Sequence, residues 1–241
     1  MSINIKIPVA MEDFTLNENL FEKYIPQKQR EKVLNLLLND IKCGSDPATR
    51  HLTTIYQPEH VIKNIPKILL KMRDIYELNL IGVQYLLNLI DKYNYNPKDV
   101  NVLIWGCGNC VVDYYLNKLG YNVTSHDNWS QLPKTTTLKV IDLLDNTFEF
   151  KNSIKIEDNV KELEKNDFDI ILDTGNYLTN QKIVMNKNLK ILFTWEINRL
   201  DKAGHWGGHS NNNSENLDYL KQNIKFIYLP SSKVFVRNDL L

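Results

Sequence analysis

Between Val102 and Asp127 the sequence constrains the fold more tightly than anywhere else in the chain. An apolar run at residues 102–105 stops abruptly at Gly106-Cys107-Gly108-Asn109-Cys110. Apolar residues then recur at Val111, Val112, Tyr115, Leu116 and Leu119, the spacing of one helix face. Gly120 ends that helix, residues 121–125 supply a second strand, and Asp127 stands just past its end. Strand, glycine turn, helix and strand make a βαβ unit. A turn free of side chains lets backbone N–H groups at a helix N-terminus approach a ligand, and an acid at the end of the next strand is placed to accept from ribose hydroxyls.

The flanking sequence predicts the surroundings of this unit. Residues 1–19 lack periodicity and read as an irregular arm. From Pro26 the pattern turns helical, with Val33, Leu34, Leu37, Leu38 and Ile41 on one face, and Gly44 and Asp46-Pro47 close it. The polar loop at 45–59 holds Arg50, His51 and Tyr56, with His60 just beyond it, and a second helical region comes next, re-started at Pro66. Ile81, Tyr85, Leu86, Leu89 and Ile90 mark another helix directly before the glycine unit, broken at 94–97.

After Asp127, residues 138–144 suit a short helix or strand, 154–156 a third strand, and 160–164 a helical turn. Residues 168–173 form a buried-type strand ending in Asp173, and 189–197 a fifth strand. A Gly- and His-rich loop at 204–209 and a short helix at 214–222 come after it. The β-rich runs 224–229 and 233–237 read as a terminal hairpin. This alternation predicts an α/β fold, a mainly parallel sheet with helices on both faces and an antiparallel C-terminal edge.

Composition narrows the function classes. Lysine and arginine balance aspartate and glutamate to a net charge of +0, so the chain has no overall footprint for nucleic acid or an anionic membrane. No apolar run approaches the length of a membrane span, and the first residues lack a secretory pattern, which predicts a cytoplasmic protein without a membrane partner. The 3 cysteines, Cys43, Cys107 and Cys110, do not form a disulfide framework.

On these residues the chain resembles the class I S-adenosylmethionine-dependent methyltransferases. The resemblance covers residues 80–237, with Val102-Leu103-Ile104-Trp105-Gly106-Cys107-Gly108 in the place of the family's first motif. It implies a seven-stranded Rossmann-like sheet, S-adenosylmethionine as cofactor, and methyl transfer to a small-molecule acceptor. It also implies a cofactor site built from Trp105, Gly106, Cys107, Gly108, Asp127, Asn128, Trp129 and Asp158, with Asp127 on the ribose and Asp158 near the adenine amino group. Trp129 is placed to cover the adenine ring. Residues 1–79 would then be a helical arm or lid over the acceptor, and residues 80–241 the methyltransferase-like unit.

The chain departs from the family at two motif positions. Trp105 replaces an acid at the end of the first strand, and Cys110 replaces a third glycine. A non-catalytic binding or partner subunit on the same fold is therefore an alternative. So is a nicotinamide-dinucleotide-binding oxidoreductase, which would want a glycine where Val111 stands. An acceptor-side proton can be handled by Asp173, at the carboxyl end of its strand with Asn176 and Tyr177 beyond, or by His205. Trp195 and Glu196 end the fifth strand and are placed to line the acceptor pocket.

Two further constellations compete with bland readings. Cys107-Gly108-Asn109-Cys110 is a Cys-x-x-Cys sequence at a helix start, the setting that lowers a thiol pKa and supports disulfide exchange; the plain alternative is two small residues packed in a loop. His205-x-x-x-His209 has metal-ligand spacing only on a helix, and Gly207-Gly208 opposes one, so no metal is assigned.

Overall fold

The computed structural model describes residues 6–15, 17–29, 32–33, 77–108, 110–129, 134–147, 154–173, 183, 186, 188–194, 226–229 and 234–237. Of the helical stretch expected from Pro26 to Ile41, residues 27–29 and 32–33 are helical and the rest lies outside the described residues, as does the helix expected at 59–76. So do Arg50, His51, Tyr56, His60, Asn109, Asn176, Tyr177, Trp195, Glu196, the 204–209 loop with His205 and His209, and the helix expected at 214–222. Among the described residues no helix is long and apolar enough to cross a membrane.

The glycine unit forms as its pattern dictates. Strand β1 (Asn101–Trp105) runs into the turn, helix α3 (Val111–Leu119) leaves it, and β2 (Asn122–His126) returns beside β1 in parallel. Gly120 ends α3 in the left-handed conformation at φ 103°, and its amide and that of Tyr121 close onto carbonyls of the last turn. Beyond β2, helix α4 (Lys134–Thr147) covers the stretch predicted only as helix or strand from 138 to 144. Strand β3 (Lys155–Ile156), the single turn α5 (Val160–Leu163), β4 (Ile170–Asp173) and β5 (Ile191–Thr194) come next. The chain then supplies β6 (Phe226–Leu229) and β7 (Val234–Arg237).

The strands lie in the order β3-β2-β1-β4-β5-β7-β6. All pairings through β5 are parallel, and β7 pairs antiparallel with both β5 and β6. The result is a mixed, mostly parallel α/β sheet. Its central strands are near-continuously apolar and buried, as strands covered on both faces must be. The chain order reverses between β1 and β4, so their carboxyl ends, Trp105 and Asp173, are register partners at the crevice where open α/β sheets bind ligands.

Helix α2 (Glu77–Asp91) precedes β1 and packs against β4 and β5. Gly82 makes that approach possible: a Cβ there would stand 2.3 Å from Leu172 Cδ2. The arm packs onto α2 rather than standing away from it. Phe14 stacks on Tyr85 at 5.5 Å, both rings meet Phe193 of β5, and the Tyr85 hydroxyl donates to the Pro8 carbonyl at 2.8 Å. Helix α1 (Glu18–Tyr24) is capped by Asn17, whose own amide donates to Gln84 on α2. Ile7, Phe14, Leu20, Phe21 and Ile25 share one apolar cluster with the sheet, and residues 79 and 80 lie inside α2.

At the amino edge of the sheet a buried ion pair fixes β4 against β1 and β5. Asp169 accepts from Lys190 Nζ with one carboxylate oxygen and from the Asn101 amide, at 2.9 Å, with the other. Breaking such a pair from one side strands a buried charge.

Candidate functional site

The described residues of the glycine turn are tied by hydrogen bonds to one another and to the elements around them. The carbonyl of His126, the last residue of β2, accepts from the amides of Gly106 (2.7 Å) and Cys107 (3.0 Å). Gly108 donates to Asp127 Oδ2 at 3.0 Å, and its carbonyl accepts from Thr137 Oγ1 of α4 at 2.6 Å. The Cys110 amide donates back to the Cys107 carbonyl. The N–H groups of 106, 107, 108 and 110, expected to face a ligand, are therefore used within the protein. A pyrophosphate bound on this turn would have to displace those bonds.

Asp127 links the turn to the segment beyond β2. Its second oxygen, Oδ1, accepts from the Trp129 amide at 2.8 Å, holding Trp129 at a φ of 57°. An ionised carboxylate offers about four acceptor positions, and these backbone bonds use two of them. The turn itself leaves room: Gly108 sits at φ +53° and a Cβ built on it meets no atom within 4 Å.

The residues assigned to the adenine end do meet. Trp129 Nε1 donates to Asp158 Oδ1 at 3.0 Å, and Lys134 of α4 pairs with the other oxygen of Asp158 while lying 6.0 Å from the indole ring. Lys134 holds the Asp158 carboxyl below its ordinary 3.8. Asn128, between Asp127 and Trp129, is exposed. Trp105 is buried, its ring 4.3 Å from that of His126, whose Nδ1 contacts the Glu157 carbonyl at 2.8 Å. Asp173, at the end of β4, is buried beside Trp105 in the register.

Of the two readings of the Cys-x-x-Cys pair, packed residues and a reactive dithiol, the surroundings favour the first. Cys107 and Cys110 carry free thiols, both buried. A hydrogen bond with Cys107, reinforced by burial, pushes the Cys110 thiol well above its ordinary 9.0. The same bond pulls Cys107 down, but burial and the nearby Asp113 and Asp127 carboxylates outweigh it and raise that thiol too. Thiol–disulfide exchange needs thiolate, so raised and buried thiols disfavour it. Cys110 also sits at φ 58°, the left-handed conformation that favours glycine, without a side-chain cap on α3.

Behind the cysteines lies Asp113, which the apolar spacing of α3 gives no reason to bury. It is fully enclosed, Ser125 Oγ of β2 donates to its Oδ1, and its Oδ2 has no hydrogen-bond partner. Burial raises its carboxyl from 3.8 to about 7, against the pull of the Ser125 hydroxyl. Asp113 comes three residues after Cys110, the residue that opens α3, so these two lie on one side of its first turn. Lys134, Thr137 and His126 have no comparable signal, because their partners lie on other elements. No protein-family model matches the chain, and no curated protein matches it with significance.

Proposed function

We propose that the chain binds S-adenosylmethionine at the carboxyl edge of β1 and β2 and transfers its methyl group to a small-molecule acceptor. The observation that carries this reading is Asp127: it closes the glycine turn through Gly108 and keeps two acceptor positions for a pair of ribose hydroxyls. The open space over Gly108 fits a ligand lying across the turn. The internally used turn amides favour a cofactor whose sugar carries no phosphate over a nicotinamide dinucleotide. The order β3-β2-β1-β4-β5-β7-β6, with β7 reversed beside β5, supports the seven-stranded Rossmann-like architecture of the family that the sequence resembles.

Each residue then has a part. Gly106, Cys107 and Gly108 form the floor of the site, and Trp105 backs it from the end of β1. Trp129, held by Asp127 and Asp158, covers the adenine with Asn128 beside it, and Asp158 accepts from the adenine amino group. The chemistry that the cofactor supplies is a sulfonium-activated methyl group. Asp173, at the crevice between β1 and β4, orients the acceptor and takes its proton, a role shared with His205.

Isothermal titration calorimetry of the purified chain with S-adenosylmethionine and S-adenosylhomocysteine tests the reading. Binding of both, lost in Asp127→Ala and weakened in Asp158→Asn, is expected. A folded chain that binds neither overturns it. Binding without turnover of any acceptor, indifferent to Asp173→Asn, would group the chain with non-catalytic relatives of that fold.

A further inference from the structure

Among the described residues one group of metal-ligating side chains converges, and the methyl-transfer reading makes no use of its inner part. Cys107 Sγ, Cys110 Sγ and a carboxylate oxygen of Asp113 all lie within 4.8 Å of one another. All three residues are buried, with Cys110 and Asp113 at 0% exposure and Cys107 at 7%. Two thiols and a carboxylate facing each other in a dry interior make an unfavourable arrangement as it stands.

One atom carries the argument further. Ser125 Oγ donates to Asp113 Oδ1 and fixes the carboxylate, yet Oδ2, fully enclosed, is left with no hydrogen-bond partner. Buried carboxylate oxygens are ordinarily satisfied, so an orphan beside two cysteines asks for a partner that is not a hydrogen-bond donor of the chain. A hydroxyl that fixes one oxygen of a buried carboxylate is how outer partners orient metal ligands.

We infer that Cys107, Cys110 and Asp113 form a site for a single thiophilic divalent cation of the zinc type, buried between the glycine turn and helix α3. Sulfur donors select zinc over magnesium or calcium, and two sulfurs with one carboxylate oxygen leave the fourth tetrahedral position to a small donor such as water. As the two metal–sulfur bonds form, the two thiol protons leave to solvent, and the cation neutralises the thiolate charges that the apolar interior would otherwise oppose. Asp113 supplies its orphan oxygen. Such a cation would lock the glycine turn to the first turn of α3. It would also offset the cost of holding Cys110, a residue with a Cβ, at a φ of 58°. The inference stands apart from the methyl-transfer reading, because its readout is metal content and not cofactor binding.

The test uses the whole chain, expressed and purified in reducing buffer with zinc and then dialysed against metal-free buffer. One equivalent of zinc by mass spectrometry of the metal is expected. Cobalt replacing it is expected to give the thiolate-to-cobalt charge-transfer absorption of a tetrahedral site. Asp113→Asn and Cys110→Ser should bind zinc more than about 100-fold more weakly, beyond what the loss of an orienting partner alone produces. Ser125→Ala should lower zinc affinity roughly 10-fold, while the wild-type cobalt spectrum decides the question even where a ligand variant fails to fold. Substoichiometric zinc in the wild type overturns the inference, whether the protein mass shows two free thiols or a disulfide lighter by two hydrogens. Stoichiometric zinc that persists in Asp113→Asn with an unchanged cobalt spectrum overturns the assignment of Asp113.

Discussion

Replacing Gly108 with alanine separates the fold of the turn from its proposed use. Gly108 stands at φ +53°, where a Cβ is strained, and that costs about 1 kcal/mol. No atom lies within 4 Å of the added methyl, so overpacking adds nothing in the ligand-free chain. The hydrogen bonds of the residue, amide to Asp127 and carbonyl from Thr137, belong to the backbone and survive. A loss of about 1 kcal/mol corresponds to a drop in Tm of roughly 2–4 °C for a chain of this length. The ligand sees a different change. A cofactor resting over the turn meets the new methyl at close range, and overpacking of that kind costs about 1–3 kcal/mol, or roughly 5- to 150-fold in Kd. Urea denaturation measures the first effect and calorimetry with S-adenosylhomocysteine the second. Unchanged affinity in Gly108→Ala, with the modest stability loss observed, would show that the ligand does not cross this turn. A stability loss well above about 3 kcal/mol would show that the space over Gly108 is not open.

Three further perturbations test the frame that holds the site. Lys190→Met strands the Asp169 carboxylate in the interior and should cost about 3–5 kcal/mol in urea denaturation. The double change Asp169→Asn with Lys190→Met should recover most of that loss, and a failure to recover would mean that Lys190 acts by packing alone. Gly82→Ala drives a methyl to 2.3 Å from Leu172 Cδ2, a cost of about 1–3 kcal/mol that helix propensity offsets by about 1 kcal/mol. Adding Leu172→Val should relieve part of it, and strict additivity of the two changes would refute the contact. The Asp158 carboxyl is held below 3.8 by Lys134, so its contribution is present above about pH 4 and lost as pH falls through the folded value. The pair is nearly half exposed, which limits the effect to under about 1 kcal/mol. Lys134→Met should flatten the acid limb of the stability profile by that amount, and an unchanged limb would remove the pair from the account.

The order of elements from β1 to β5 is legible in the sequence because each rests on a local pattern: an apolar run, a glycine turn, a one-faced helix. The partners of the turn are not. Gly108 is fixed by Asp127 and Thr137, 19 and 29 residues away, and only the sheet register and the docking of α4 bring them together. The arm reads as irregular because Ile7 and Phe14 share no period, yet both join the apolar core, Phe14 with its ring against Tyr85 of α2 and Phe193 of β5. Nothing in the pattern of α3 marks Asp113 for the interior, because a charged residue on a helix is ordinarily solvated. Its burial is decided by Ser125, which points from β2 toward α3.

Two residues of the glycine unit, Trp105 and Cys110, have different physical consequences. Trp105 ends β1 with a buried, uncharged ring against His126. Cys110 is the more costly of the two. A glycine would adopt φ 58° freely, whereas cysteine is held there against about 1 kcal/mol of strain. It is also buried in one group with Cys107 and Asp113. A thiol at that position is explained by what it can ligate, and the orphan oxygen of Asp113 marks where that ligand belongs.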